Sequence, residues 1–148
     1  MRIHHSAICT RDIDASLTFW RDGLGFVQLM DETFDGDWPN LFNARQPTLR
    51  SIFLGDPSAT SAGIVELVDF AGGMEDPPEP ASGPAVGFFL VSVFLPVEPT
   101  LARLASLGVG GSPRRITLAV GVQMAVVHDP NGVAVELVDT GTAEPPAA

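Results

Sequence analysis

The pentapeptide Val-Glu-Leu-Val-Asp occurs twice in this chain, at Val65–Asp69 and again at Val135–Asp139. Its alternation has the period of a β-strand, so Glu66 and Glu136 fall on the face opposite Leu67 and Leu137. Two amphipathic strands, each with a solvated Glu, would satisfy that pattern. A duplicated module offering one carboxylate from each copy would satisfy it too. The flanking residues favour duplication. Each half places an Asp-Pro turn ahead of its Glu, at Asp56-Pro57 and Asp129-Pro130, with the longer interval in the first half. Each half also carries an acid, a Leu one turn on, and a closing Leu-Gly: Asp14, Leu17 and Leu24-Gly25, then Glu98, Leu101 and Leu107-Gly108.

The elements repeat in the same order. A first strand is predicted over residues 2–10. A helix follows over "RDIDASLTFWRDGLG", capped by Asp12 or Asp14, with Ile13, Leu17, Trp20 and Leu24 at helical spacing and Gly23 or Gly25 as the stop. "FVQLM", "LRSIFLG" and "IVELVDF" read as strands, and "DETFDGDWPNLFNARQPT" as a long surface loop of the kind that carries function. In the second half "VGFFLVSVFL" reads as a strand and "EPTLARLASLG" as a helix with Pro99 in its first turn. "RRITL", "GVQMAVV" and "VAVELVD" then complete three strands. The predicted fold is α+β: two βαβββ modules forming a curved, half-open mixed sheet around a central cavity. The modules span 1–70 and 86–140, joined by a Pro/Gly-rich linker at 71–85 and followed by a disordered tail at 141–148.

A net charge of −10 leaves no basic footprint, which argues against nucleic acid and anionic membranes as partners; it would steer in a cationic ligand or simply keep the chain in solution. All eight basic residues are Arg, and there is neither Lys nor Tyr. Schiff-base lysine chemistry and tyrosine acid catalysis are therefore excluded. What remains is Asp, Glu, three His, Cys9, Arg or a bound metal. The lone Cys9 rules out an internal disulfide, and no apolar run is long enough to cross a bilayer. The chain reads as cytoplasmic.

The opening "IHHSAICTRDIDASLTFWRDGLGF" and the closing "HDPNGVAVELVD" resemble the vicinal oxygen chelate superfamily of glyoxalases, bleomycin-resistance proteins and extradiol dioxygenases. In metal-using members of that family the ligands come from the first and last strand of each module. The resemblance therefore implies His5, Glu66 and Glu136 as ligands of a divalent ion (Zn, Mn, Ni, Co or Fe(II)), and puts the fourth position on Phe88. Phenylalanine cannot coordinate, which argues against an extradiol dioxygenase with its two His and one carboxylate. The implied activity is a glyoxalase- or epimerase-like lyase or isomerase. It would bind a small substrate through vicinal oxygens and pass through an enediolate, with Glu66 or Glu136 as base and Glu66 the more loosely held. Trp38 and Phe42 would close over the substrate, and Cys9 shares the strand face of His5.

The alternative is a metal-free sequestering protein of the bleomycin-resistance type. There Phe88 would supply a stacking surface, and Arg50, on the strand before Glu66, would neutralise the carboxylates. The family also pairs modules between chains, which implies a homodimer. Two local expectations complete the reading. His4, adjacent to His5, points to the opposite face. A hairpin turning on Pro130-Asn131 pairs Glu136 with Ala125 and takes His128 off the face of Glu136.

Overall fold

A computed structural model describes residues 1–78 and 83–139. The predicted tail at 141–148 and the middle of the linker lie outside the described residues. The chain divides into two compact units, Met1–Pro80 and Ala81–Ala148, each built on one four-stranded sheet.

In the first unit β1 (His5–Cys9) leads to α1 (Ile13–Leu17) and a π-helical segment (Thr18–Gly23), followed by β2 (Val27–Asp35), α2 (Trp38–Phe42), β3 (Thr48–Gly55) and β4 (Ile64–Asp69). The sheet order is β1-β4-β3-β2, with β1 parallel to β4 and the other pairs antiparallel. Asp12 caps α1 by accepting a hydrogen bond from the Ala15 amide at 2.9 Å. The helix then widens, and the Leu24 amide reaches back to the Phe19 carbonyl at 2.9 Å. That wider turn brings Phe19 beside Trp20, ring centroids 5.3 Å apart, and both are fully buried. Burial of side chains this size contributes roughly 1.5–3 kcal/mol each, so this helical face anchors the unit. It covers one side of the sheet, where Ile8, Ile52, Leu54, Val65 and Leu67 are buried. The other side, carrying His5, Ala7, Cys9, Ser51, Phe53 and Glu66, lines a cavity.

The second unit repeats this plan. β5 (Val91–Phe94) is followed by α3 (Val97–Ser106), β6 (Gly110–Thr117), β7 (Gln123–His128) and β8 (Ala134–Asp139), in sheet order β5-β8-β7-β6. Val97, Leu101 and Leu104 of α3 are buried with Ala125, Val127, Val135 and Leu137. The duplicated pentapeptides are thus the central strands β4 and β8, and neither sheet is closed.

Three expectations need correction. The segment expected as one long loop is mostly ordered, because β2 runs on to Asp35 and Asp37 caps α2 through the Asn40 amide. The strand expected over "VGFFLVSVFL" is only Val91–Phe94, so Phe88 lies ahead of it, 75% exposed. The last hairpin turns on Pro130, Asn131 and Gly132, with the Asp129 amide bonded to the Val133 carbonyl at 3.0 Å. Gly132 takes φ +85° there, which a side chain disfavours. This three-residue loop pairs Glu136 with Val126, not Ala125, and returns His128 to the face of Glu136.

Candidate functional site

β4 is central in the first sheet, so Glu66 is reached from both neighbouring strands. From β1, His5 Nε2 stands 3.1 Å from Glu66 Oε2. From β3, the Ser51 hydroxyl donates to Glu66 Oε1 at 2.5 Å. Ser51 and Glu66 are largely withdrawn from solvent, and a carboxylate there is costly unless its oxygens find partners. Both oxygens have one. The Arg50 expected in this role pairs instead with Asp31 of β2, its Nε and Nη2 each 2.8 Å from a carboxylate oxygen. The strand alternation explains the exchange, since Arg50 and Ser51 point to opposite faces.

His4 also departs from expectation. It precedes β1 and so escapes strand alternation; its Nδ1 lies 2.8 Å from Nδ1 of His5. Phe53 packs against both imidazoles, at centroid distances of 5.8 and 5.6 Å. His4, His5, Glu66 and Ser51 therefore form one hydrogen-bonded chain, of which His5, Glu66 and Ser51 line the cavity.

The cavity encloses about 890 Å³ and is lined wholly by the first unit. Met30, Phe34, Leu49, Phe53, Val68 and Phe70 give it apolar walls. Trp38 and Phe42 line it too, their rings nearly parallel (9°) with centroids 5.7 Å apart. Gly36 makes room for the indole, because a Cβ at that position would meet Trp38 at 2.9 Å. Gly73, Met74 and Glu75, from the predicted linker, form part of the wall. Arg11 holds them there through Asp76 at 2.7 Å and the Met74 carbonyl at 2.9 Å, and Arg45 through Glu75 at 2.9 Å. Cys9 opens onto the same cavity. Partial burial first, and the charge of Glu66 second, push its thiol above the ordinary cysteine value.

In the second unit Glu136 Oε2 accepts a hydrogen bond from the Ser92 hydroxyl at 2.7 Å. Ser92 is level with Glu136 as Ala7 is with Glu66. Counting back two residues, the place of His5 belongs to Leu90 and not to Phe88.

A family sequence pattern, that of the Glyoxalase/Bleomycin resistance protein/Dioxygenase superfamily, matches residues 2–137. The chain belongs to this superfamily. Its relatives include the lactoylglutathione lyase-like protein terB of Aspergillus terreus, 33% identical over 145 residues, a match covering 92% of this chain and 74% of terB. Solved superfamily structures share the fold. The trypanothione-dependent glyoxalase I of Leishmania major superposes with a TM-score of 0.65 at 21% identity, over 94% of this chain and 86% of that one. A glyoxalase family protein from Bacillus cereus reaches 0.67 at 15% identity, over 94% and 93%.

The structure thus gathers His5, Glu66, Cys9, Trp38 and Phe42 at one cavity and leaves Arg50 out of its lining. Ser51, Phe53, Phe70 and Met74 escaped the sequence reading. Ser51 was legible in principle, lying two residues before Phe53, the partner of Glu66 across β3 and β4. Superfamily membership raises the question of a divalent ion. Two donors bound to one ion at about 2.1 Å stand roughly 3–3.5 Å apart, and the 3.1 Å between His5 Nε2 and Glu66 Oε2 fits that spacing. Among the described residues no third His, Cys, Asp or Glu joins them.

Proposed function

We propose that this protein is a glyoxalase-like lyase or isomerase that moves a proton next to a carbonyl of a small substrate bearing vicinal oxygens. The observation that carries the reading is the His5–Glu66 pair on the floor of a largely apolar cavity. Ser51 holds one oxygen of Glu66, leaving the other to accept the proton. His5 Nε2, 3.1 Å from that second oxygen, holds the carboxylate in place on the cavity floor. His5 and Glu66 would hold a divalent ion in the first unit, and the resemblance gives Glu136 the same role in the second. Zn, Mn, Ni, Co and Fe(II) all suit such donors, and the bound ion supplies Lewis-acid polarisation of the substrate oxygens. A homodimer working in a reducing, cytoplasmic compartment belongs to the same proposal, and the free thiol of Cys9 supports that setting.

The test is solvent-deuterium exchange into a panel of α-hydroxyketones, followed by NMR with each metal added in turn. Exchange by the wild type and a loss of about 10²–10⁴-fold in Glu66→Gln is the expected result. A second reading, a metal-free ligand-sequestering protein, is favoured by one observation: both oxygens of Glu66 are satisfied by the chain itself. It predicts tight ligand binding with no exchange under any metal. Sedimentation equilibrium at micromolar concentration checks the dimer.

A further inference from the structure

The proposed chemistry occupies only the floor of the cavity, and the rest of its lining says what kind of molecule carries the reacting carbons. At about 890 Å³ the space lies near the top of the range that drug-sized ligands fill, roughly 300–1,000 Å³. A three-carbon substrate would leave most of that apolar surface in contact with water. Something larger and apolar belongs there.

Charge narrows the choice. Among the described residues, the one cation above the floor that lines the cavity is Arg45, and its guanidinium already meets Glu75 at 2.9 Å. Glu66 and Glu75 make the lining acidic, in a chain whose net charge is −10. A peptide-like thiol conjugate with free carboxylates needs cationic partners to replace its lost hydration, and Arg45, the cation of the described lining, is already paired. Shape narrows it again. Trp38 and Phe42 form a slipped parallel stack, and Phe70 stands edge-on to Phe42 at 6.4 Å and 77°. Parallel rings continue most favourably into another flat ring.

We infer that the first-unit cavity takes a neutral, flat, fused-ring aromatic molecule with adjacent oxygens, its rings against Trp38 and Phe42 and its oxygens toward His5 and Glu66. This rests on the proposed function for the placement of the oxygens. The aromatic preference rests on the walls alone.

The experiment is calorimetric titration with two probes, naphthalene-2,3-diol and S-hexylglutathione, alongside fluorescence. Of the two tryptophans, Trp20 is fully buried in the core and Trp38 lines the cavity, so quenching that is lost in Trp38→Phe locates the site. The diol is expected to bind at least tenfold more tightly than S-hexylglutathione and to quench Trp38. Phe42→Ala should weaken the diol about tenfold with its melting temperature little changed. Gly36→Ala, which pushes the indole aside, should weaken it as well. Arg50→Gln, at a residue outside the cavity lining, should bind the diol as the wild type does, and a wild type that binds the diol but exchanges no deuterium leaves this inference standing when the proton-transfer reading fails. S-hexylglutathione binding as tightly as the diol would overturn the inference. So would diol affinity unchanged in a folded Phe42→Ala.

Discussion

Ser92 lies directly across from Glu136 in the second sheet, as Ala7 lies across from Glu66 in the first. The match fixes the internal alignment of the two modules and makes Leu90, not Phe88, the counterpart of His5. An imidazole at Leu90 would precede β5 by one residue and stand two residues from the level of Glu136, as His5 does beside Glu66. Leu90→His is therefore expected to tighten binding of Zn or Ni in a calorimetric titration, and Phe88→His to leave it unchanged. The reverse order of effects would show that the strand register does not carry the ligand positions. Some loss of stability is expected in Leu90→His from the poorer apolar contact.

Both pentapeptides were legible as strands, and their faces as well, because a period of two fixes which residues share a face once the strand is recognised. Phase was the harder matter. "VGFFLVSVFL" is nearly all apolar, so nothing in it marks where pairing begins, and only the ladder to β8 selects Val91 as the first paired residue. His128 was misplaced for a different reason. The signal was present in Asp129-Pro130-Asn131-Gly132, but a glycine in the left-handed region closes a three-residue loop, and one extra loop residue reverses the face of every position on β7. The cavity walls were the least legible part. Phe70 and Met74 read as a strand end and a linker, and Arg11 and Arg45 draw that segment into the wall across long sequence separations.

The contact between His4 and His5 makes His4 a positioning residue. Two Nδ1 atoms 2.8 Å apart share one proton, so the state of His4 sets which tautomer His5 presents to Glu66. His4→Phe keeps a ring against Phe53 but removes that partner. A fall of about 10–100-fold in metal affinity or exchange rate is expected, with partial rescue by His4→Asn. Tautomer populations of His5 from nitrogen NMR supply a readout that simple packing would not move. Unchanged populations in His4→Phe would remove the role.

Arg50 and Asp31 tie β2 to β3, and their effect should be confined to stability. Hydrogen bonding from Arg50 holds the Asp31 carboxyl below the ordinary carboxylate range. A depressed folded pKa contributes stability that is full above the unfolded value, about 3.9, and is lost as the pH falls through the folded one. Arg50→Gln should lower stability at neutral pH by about 0–1 kcal/mol, since the pair is partly exposed. The difference from wild type in denaturant melts should vanish in strong acid. Affinity for metal and for aromatic ligands should not change, because Arg50 faces away from the cavity. A large loss of ligand affinity in Arg50→Gln would return this residue to the site.

Cys9 reports the charge of Glu66 without any need for substrate. Two causes raise its thiol above the ordinary value, partial burial first and the Glu66 carboxylate second. Only the second is removed by Glu66→Gln. The substitution should therefore lower the pKa of Cys9, increase the thiolate fraction at any pH below it, and speed alkylation by iodoacetamide. Burial remains, so the rate should stay below that of a free cysteine. The same reasoning gives the effect of a divalent ion. A cation on His5 and Glu66 offsets the carboxylate charge and should accelerate alkylation of the wild type, while leaving Glu66→Gln nearly unaffected. Stopped samples counted by mass spectrometry at pH 7, 8 and 9 give the rates, and the lone cysteine removes any ambiguity of site. Slower alkylation in Glu66→Gln than in wild type would mean that Glu66 does not stand beside the thiol as a charged group, and the cavity floor would have to be redrawn.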